Sequence, residues 1–255
     1  MPKISKQNRN FFRKWLPFNF CDRRCEKCFE MRDECEVYKK DIEFKLNCLF
    51  QEKDPDDTDV LLERMEKDLM ETFSVLESSA KKENFELSGA EGKKLEEEMR
   101  EKEKKIVRHK LYKKCSGFYA RLRRFMRRFN PGTLCEPLPS AGIFWVSELE
   151  EVYFYSHLIF TKAARALHSS SDFLDDDNFS RPDHLVNASL GYHSLLTVEK
   201  SLQNIQEILS ADEPIWASEI SSLLEEAGKT KETFLEFFPE VEKYKNKIIF
   251  NGRLK

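Results

Sequence analysis

Residues 111 to 129 read LYKKCSGFYARLRRFMRRF. Leu111, Cys115, Phe118, Leu122, Phe125 and Phe129 recur at spacings of 4, 3, 4, 3 and 4. That is the period of one helix face laid against a partner, with Lys and Arg filling the other positions. The pattern predicts a buried seam within a long helix that opens at the capping signature Ser88 and Glu91 and closes at Asn130-Pro131-Gly132.

A second periodic helix precedes it. From about Asp59 to Lys82, Leu62, Met65, Leu69, Phe73 and Leu76 share one face, so the two helices are expected to pair as an antiparallel hairpin. Upstream, Cys21 to Phe50 contains no Gly or Pro and reads as a further helix, ended by Asp54-Pro55-Asp56-Asp57. Downstream, Ser147 with Glu150 is another capping signature, before a helix ending near His168. The polar stretch 169–183 follows as a loop. Ala188, Gly191, Leu195, Val198, Leu202, Ile205 and Leu209 then form a ridge whose small members admit a close helix neighbour. Two last helices, near 213–227 and 230–244, are expected on either side of Gly228, and Ile248-Ile249-Phe250 reads as an apolar plug.

The fold class is therefore all-α: an N-terminal Cys-bearing helix and a long helical hairpin packed against a C-terminal helical bundle. Only 8 Gly and 9 Pro among 255 residues agree with long helices, and 40% hydrophobic residues suffice for a core. Expected segments are a basic and aromatic arm at 1–20, the Cys-bearing helix and hairpin at 21–130, a linker at 131–142 and a bundle at 143–255. The arm, with Phe11, Phe12, Trp15, Leu16, Phe18 and Phe20 around Arg13 and Lys14, suits a membrane surface or packing on its own domain.

Net charge is −3, so no global field selects a nucleic acid or a membrane. Locally, residues 100–129 hold thirteen Lys/Arg against two Glu, while the chain beyond Glu148 is acidic, and mutual neutralisation is the simplest expectation. The solvent face of the basic helix, with Lys113, Lys114, Arg121, Arg124 and Arg128, is the candidate surface for nucleic acid or another anionic partner. No stretch reaches the roughly 20 apolar residues of a membrane span, and no apolar secretory segment opens the chain, which places it in the cytoplasm as an expectation.

Seven cysteines in a reducing compartment point to thiols, ligands or core residues rather than disulfides. Cys21, Cys25 and Cys28, with Cys35 and then Cys48, form the densest group. Soft thiolates at short spacing suit an iron–sulfur cluster or zinc, and Arg23, Arg24 and Lys27 are expected to favour the thiolate. The candidate ligands are Cys21, Cys25 and Cys28, with Cys35 or Cys135 as the fourth. The Cys-x3-Cys-x2-Cys spacing resembles the cluster-binding loop of radical S-adenosylmethionine enzymes, which implies three thiolates on an iron–sulfur cluster within an α/β barrel. Lys27 stands where that family usually has an aromatic residue, and no alternation of strand and helix follows. On a continuous helix, positions 21, 25 and 28 would instead share one face as a core seam, and Cys35 would stand roughly 21 Å from Cys21.

Catalytic motifs are missing. There is no Gly-rich phosphate loop, Gly-x-Ser-x-Gly elbow or His-Glu-x-x-His pair. Phe154 and Leu190 stand three before His157 and His193, so the Glu-x-x-His of di-iron bundles fails twice. Glu150, His157 and Glu199 are the only candidates for a polar pocket between helices. Two functions follow as expectations: a non-catalytic protein holding an iron–sulfur cluster or zinc for electron transfer or as an interaction module, and a metal-free helical scaffold with a basic face. A protein partner suits either.

Overall fold

The computed structural model describes residues 21–28, 32, 35–82, 89–128, 142–171, 181–208, 214–250 and 253–254. The 1–20 arm, the 131–141 linker with Cys135, the acidic residues 172 and 175–177, Ser88, Phe129 and Leu209 lie outside them. The chain divides into two compact units, Met1–Glu30 with Lys102–Lys255, and Met31–Glu101.

The fold is all-α, with seven α-helices among the described residues: α1 (Glu36–Phe50), α2 (Thr58–Lys82), α3 (Ala90–Arg108), α4 (Lys110–Arg127), α5 (Gly142–Ser171), α6 (Arg181–Ile208) and α7 (Pro214–Phe237). The one sheet among them is a hairpin of β1 (Ile249–Phe250) on β2 (Arg253–Leu254), and no α/β barrel is present there.

In the larger unit, α4 packs on α5 and α7, and α6 packs on α5 and α7, which closes a four-helix ring. Cross-helix pairs show that neighbours run antiparallel. Asn204 of α6 meets Glu148 at the start of α5 while Ser169 at its end meets Asp183, and Gln206 meets Ser221 while Glu199 meets Lys231. The seam read from the sequence fills the centre: Leu111, Cys115, Phe118, Leu122 and Phe125 are fully buried, together with the α6 ridge of Ala188, Leu195, Val198, Leu202 and Ile205. Within this unit the seam's partners are α5 and α7. At Gly191 an added Cβ would stand 3.1 Å from the Phe234 ring and 3.4 Å from Lys162 Cβ, so the close approach expected of this ridge is realised.

Four local expectations are corrected. The long helix breaks at His109, whose backbone is extended and whose Nδ1 accepts from the Leu111 amide at 3.2 Å, so α4 starts as a separately capped helix. The Phe237 ring, edge-on at 4.4 Å, fixes that imidazole. Ser147 is no cap: α5 already starts at Gly142, and Ser147 is exposed within it. Gly228 is no stop: Ala227, Thr230 and Phe234 bury one face across it, and this packing outweighs the roughly 1 kcal/mol that glycine costs a helix. The helix ends at Phe237, where Pro239 disfavours helical backbone at Phe238.

The fourth concerns the cysteines. The Cys-bearing helix starts at Glu36, not at Cys21; Cys35 is its N-cap residue and Cys48 its buried cysteine. In this smaller unit the α1 C-terminus closes with Glu52 at φ 54° and the Lys53 amide on the Cys48 carbonyl at 2.9 Å. Asp57 caps α2 through the Asp59 amide at 2.8 Å. Arg64 then ties α2 to α1, donating to Asp41 at 3.0 Å and lying over the Phe44 ring at 4.3 Å. The α2 apolar face of Leu62, Met65, Leu69, Phe73 and Leu76 is exposed. No described helix is long and apolar enough to cross a membrane.

Candidate functional site

The segment 21–28 is irregular. Arg23 has φ 63°, in the left-handed region, and Cys25–Lys27 form a single 3-10 turn in which the Cys28 amide donates to the Cys25 carbonyl at 3.2 Å. Positions 21, 25 and 28 therefore do not share a helix face. A buried polar network anchors the segment to α5. The Tyr155 hydroxyl donates to Asp22 Oδ2 at 2.8 Å, and the Arg24 amide donates to Asp22 Oδ1 at 3.1 Å. Arg24 and Lys27 both reach Glu151, and the Arg24 guanidinium lies 4.6 Å from the Phe154 ring centre. Burial, then the Asp22 carboxylate, pushes the Tyr155 phenol far above its ordinary range.

Cys21, Cys25, Cys28 and Cys35 are half-buried, with Cys35 in the smaller unit, while Cys48 and Cys115 are buried. Burial pushes the Cys21 thiol up to about 12, so it is neutral at ordinary pH. Burial outweighs the Arg23 backbone hydrogen bond that favours the thiolate, and the Arg24 and Lys27 side chains are turned to Glu151. Among the described residues no group of three or more His, Cys, Asp or Glu side chains is placed to hold a metal ion.

The polar pocket considered for chemistry is likewise dispersed. His157 is exposed, edge-on to Tyr119 at 6.0 Å; Glu150 is exposed; Glu199 accepts from Lys231 with both oxygens at 2.9 Å.

The basic helix is different. Three of its cations meet acids of α7 in antiparallel register: Arg128 with Glu219, Arg121 with Glu226, and Lys110 with Glu236 at 2.6 Å. Ser222 accepts a second bond from Arg121 at 2.9 Å, and Arg128 stacks 4.0 Å from the Trp216 ring centre. Neutralisation by acids beyond Glu148 is thus realised along this edge.

At the helix start it is incomplete. There, Arg108, Lys110, Lys113, Lys114, Gly117 and Glu226 line an open cleft of about 560 Å³. Lys110, Lys113, Lys114 and Gly117 stand at i, i+3, i+4 and i+7, one face of the first two turns of α4, and Arg108 closes α3 just before them. Glu226, the single acid of the lining, is engaged by Arg121, and Lys110 by Glu236. Arg108, Lys113 and Lys114 have no carboxylate within 4.0 Å among the described residues. The helix dipole adds positive potential at the same end. Gly117 leaves open space where a Cβ would stand.

The sequence face named Lys113 and Lys114 but not Lys110, which shares their face, nor Arg108, which the break at His109 sets apart from the phase of α4. A glycine amid basic residues of a strong helix was the signal that could have found the cleft.

Comparison with protein families, curated proteins and solved structures finds no match to this chain, so its function is argued from its own residues.

Proposed function

We propose that this chain is a non-catalytic helical scaffold that docks an anionic partner in the cleft at the start of α4. One observation carries the reading: Arg108, Lys113 and Lys114 border the same cleft without carboxylate partners, whereas the neighbouring cations of that edge are spent on α7. Uncompensated cations gathered in a concavity attract phosphate, sulfate or carboxylate through charge-assisted hydrogen bonds.

The test is the salt dependence of binding to a soluble polyanion such as heparin. Neutralising three phosphate- or sulfate-type charges predicts a log–log slope of about −2 to −3. Triple substitution of Arg108, Lys113 and Lys114 by Gln is expected to flatten that slope. No binding at low salt, or an unchanged slope in the triple variant, contradicts the reading.

An iron–sulfur or zinc site on Cys21, Cys25 and Cys28, with Cys35 or Cys135 as fourth ligand, ranks second. The lack of a three-ligand group among the described residues weighs against it. Stoichiometric metal in anaerobically purified protein, lost in Cys25→Ser, would restore it.

A further inference from the structure

We infer that the cleft is built for a compact polyphosphate, two or three phosphoryl groups on one small molecule or headgroup, and not for an extended nucleic acid. This rests on the anionic-partner reading above and narrows it to a ligand class.

The first reason is the reach of the free charge. Lys113 and Lys114 sit in the first two turns of α4, and Arg108 ends α3 two residues before α4 begins, bordering the same cleft. Beyond Lys114 the face turns neutral at Gly117 and Ala120, and Arg121 is taken by Glu226. The exposed Arg123 and Arg124 stand about 14 Å and 15 Å further along the axis than Lys114, too far to share a ligand of this size. A nucleic-acid backbone needs a groove that continues to meet phosphates, and downstream of Lys114 this face of α4 offers no further free cation among the described residues.

The second reason is the opposite wall. Glu226 of α7 lines the cleft and holds Arg121, while Glu236, which holds the lining Lys110, and the exposed Glu232 lie further along the same helix. On this helix Lys229 is taken by Glu225 and Lys231 by Glu199, so a polyanion crossing α7 meets no unspent cation there and the favourable contacts end inside the cleft. The third is capacity: about 560 Å³ lies in the range of small-molecule sites and exceeds what a single oxyanion needs. The open space at Gly117 belongs to that volume, since a side chain at this position would project into it.

The experiment is calorimetric titration of the full chain with inorganic tripolyphosphate, for the wild type, Gly117→Glu, and Lys113→Ala with Lys114→Ala. Gly117→Glu removes a glycine from a helix and adds a carboxylate to the cleft, so it is expected to melt no lower than the wild type. One site per chain is expected in the wild type, weakened at least about tenfold in both variants. Tripolyphosphate is also expected to displace a labelled 20-nucleotide RNA. Phosphatidylcholine vesicles containing a bisphosphorylated inositol lipid separate the sources: capture that tripolyphosphate competes away supports a headgroup, and no capture supports a soluble ligand. RNA that binds and resists displacement overturns this inference and leaves the anionic-partner reading standing. Tripolyphosphate affinity equal in the wild type and Gly117→Glu also overturns it. No binding of either probe at low salt overturns both.

Discussion

Arg121 of α4 is bound to Glu226 of α7, and seven residues further along α4 Arg128 is bound to Glu219, seven residues back along α7. The two pairs set the antiparallel register of these helices and occupy the one acid that lines the cleft, leaving its cations for a ligand. Charges spaced by seven on both helices meet because antiparallel neighbours keep matched faces over successive turns. Arg121 is partly exposed, so the pair adds little to stability. Its effect on the cleft is electrostatic. Arg121→Gln is expected to free Glu226 and weaken tripolyphosphate binding about threefold or more, although Arg121 does not line the cleft. Equal affinity, measured calorimetrically at low salt, would contradict this role.

Gly117 and Gly191, both within helices, should respond oppositely. Gly117→Ala meets open space and is expected to raise stability by about 0.5–1 kcal/mol. Gly191→Ala places a methyl 3.1 Å from the fully buried Phe234 ring, so the packing penalty of about 1–3 kcal/mol outweighs the propensity gain. Urea denaturation of both variants checks the contrast, and two changes of the same sign would show that α6 is less closely packed than described.

Tyr155→Phe removes the hydroxyl that donates to Asp22 Oδ2 and leaves that buried oxygen without this bond, at an expected cost of about 1–3 kcal/mol. The 21–28 segment should then open more often than the bundle unfolds. Thiol titration reads this directly: Cys21 is expected to react several-fold faster in the variant. An unchanged rate would mean that the network does not hold the segment down.

Lys162 gives a dependence on pH. Burial lowers its ammonium from 10.5 to about 8; Cys21 and Asp183 oppose that shift, Arg165 and Arg23 add to it, and Nζ donates to Asn187 Oδ1 at 3.2 Å. Between about 8 and 10.5 the unfolded chain binds more protons than the folded one, so this residue makes stability rise with pH across that window and contributes no slope well below 8. With partial screening by solvent the gain is on the order of 1–2 kcal/mol. Lys162→Met should lose it, read as the difference between wild type and variant in urea at pH 7.5 and pH 10. Parallel profiles would contradict it.

The bundle was legible where burial imposes a period. Leu111 to Phe125 and Ala188 to Ile205 were readable as core faces because a helix buried on one side must repeat its apolar residues every three or four positions. The break at His109 was not, since no proline or glycine marks it; it depends on an imidazole cap held by Phe237, a residue 128 positions away. Gly228 misled because its propensity is local and the packing of Thr230 and Phe234 is not. The cysteines misled because Cys21 to Cys28 have helical spacing but are drawn out of helix by Asp22, Arg24 and Lys27 reaching Tyr155 and Glu151. At the cleft, composition showed the excess of cations, yet only the pairing with α7 shows which remain free.

Two charge reversals of equal size separate a built cleft from general charge: Arg108→Glu, Lys113→Glu and Lys114→Glu together, against Lys40→Glu, Lys200→Glu and Lys243→Glu at exposed positions elsewhere. Heparin affinity at low salt is expected to fall at least about tenfold in the first and to stay within about twofold in the second. An equal fall in both would show that the anion is drawn by net charge alone and that the cleft at the start of α4 is not the docking site.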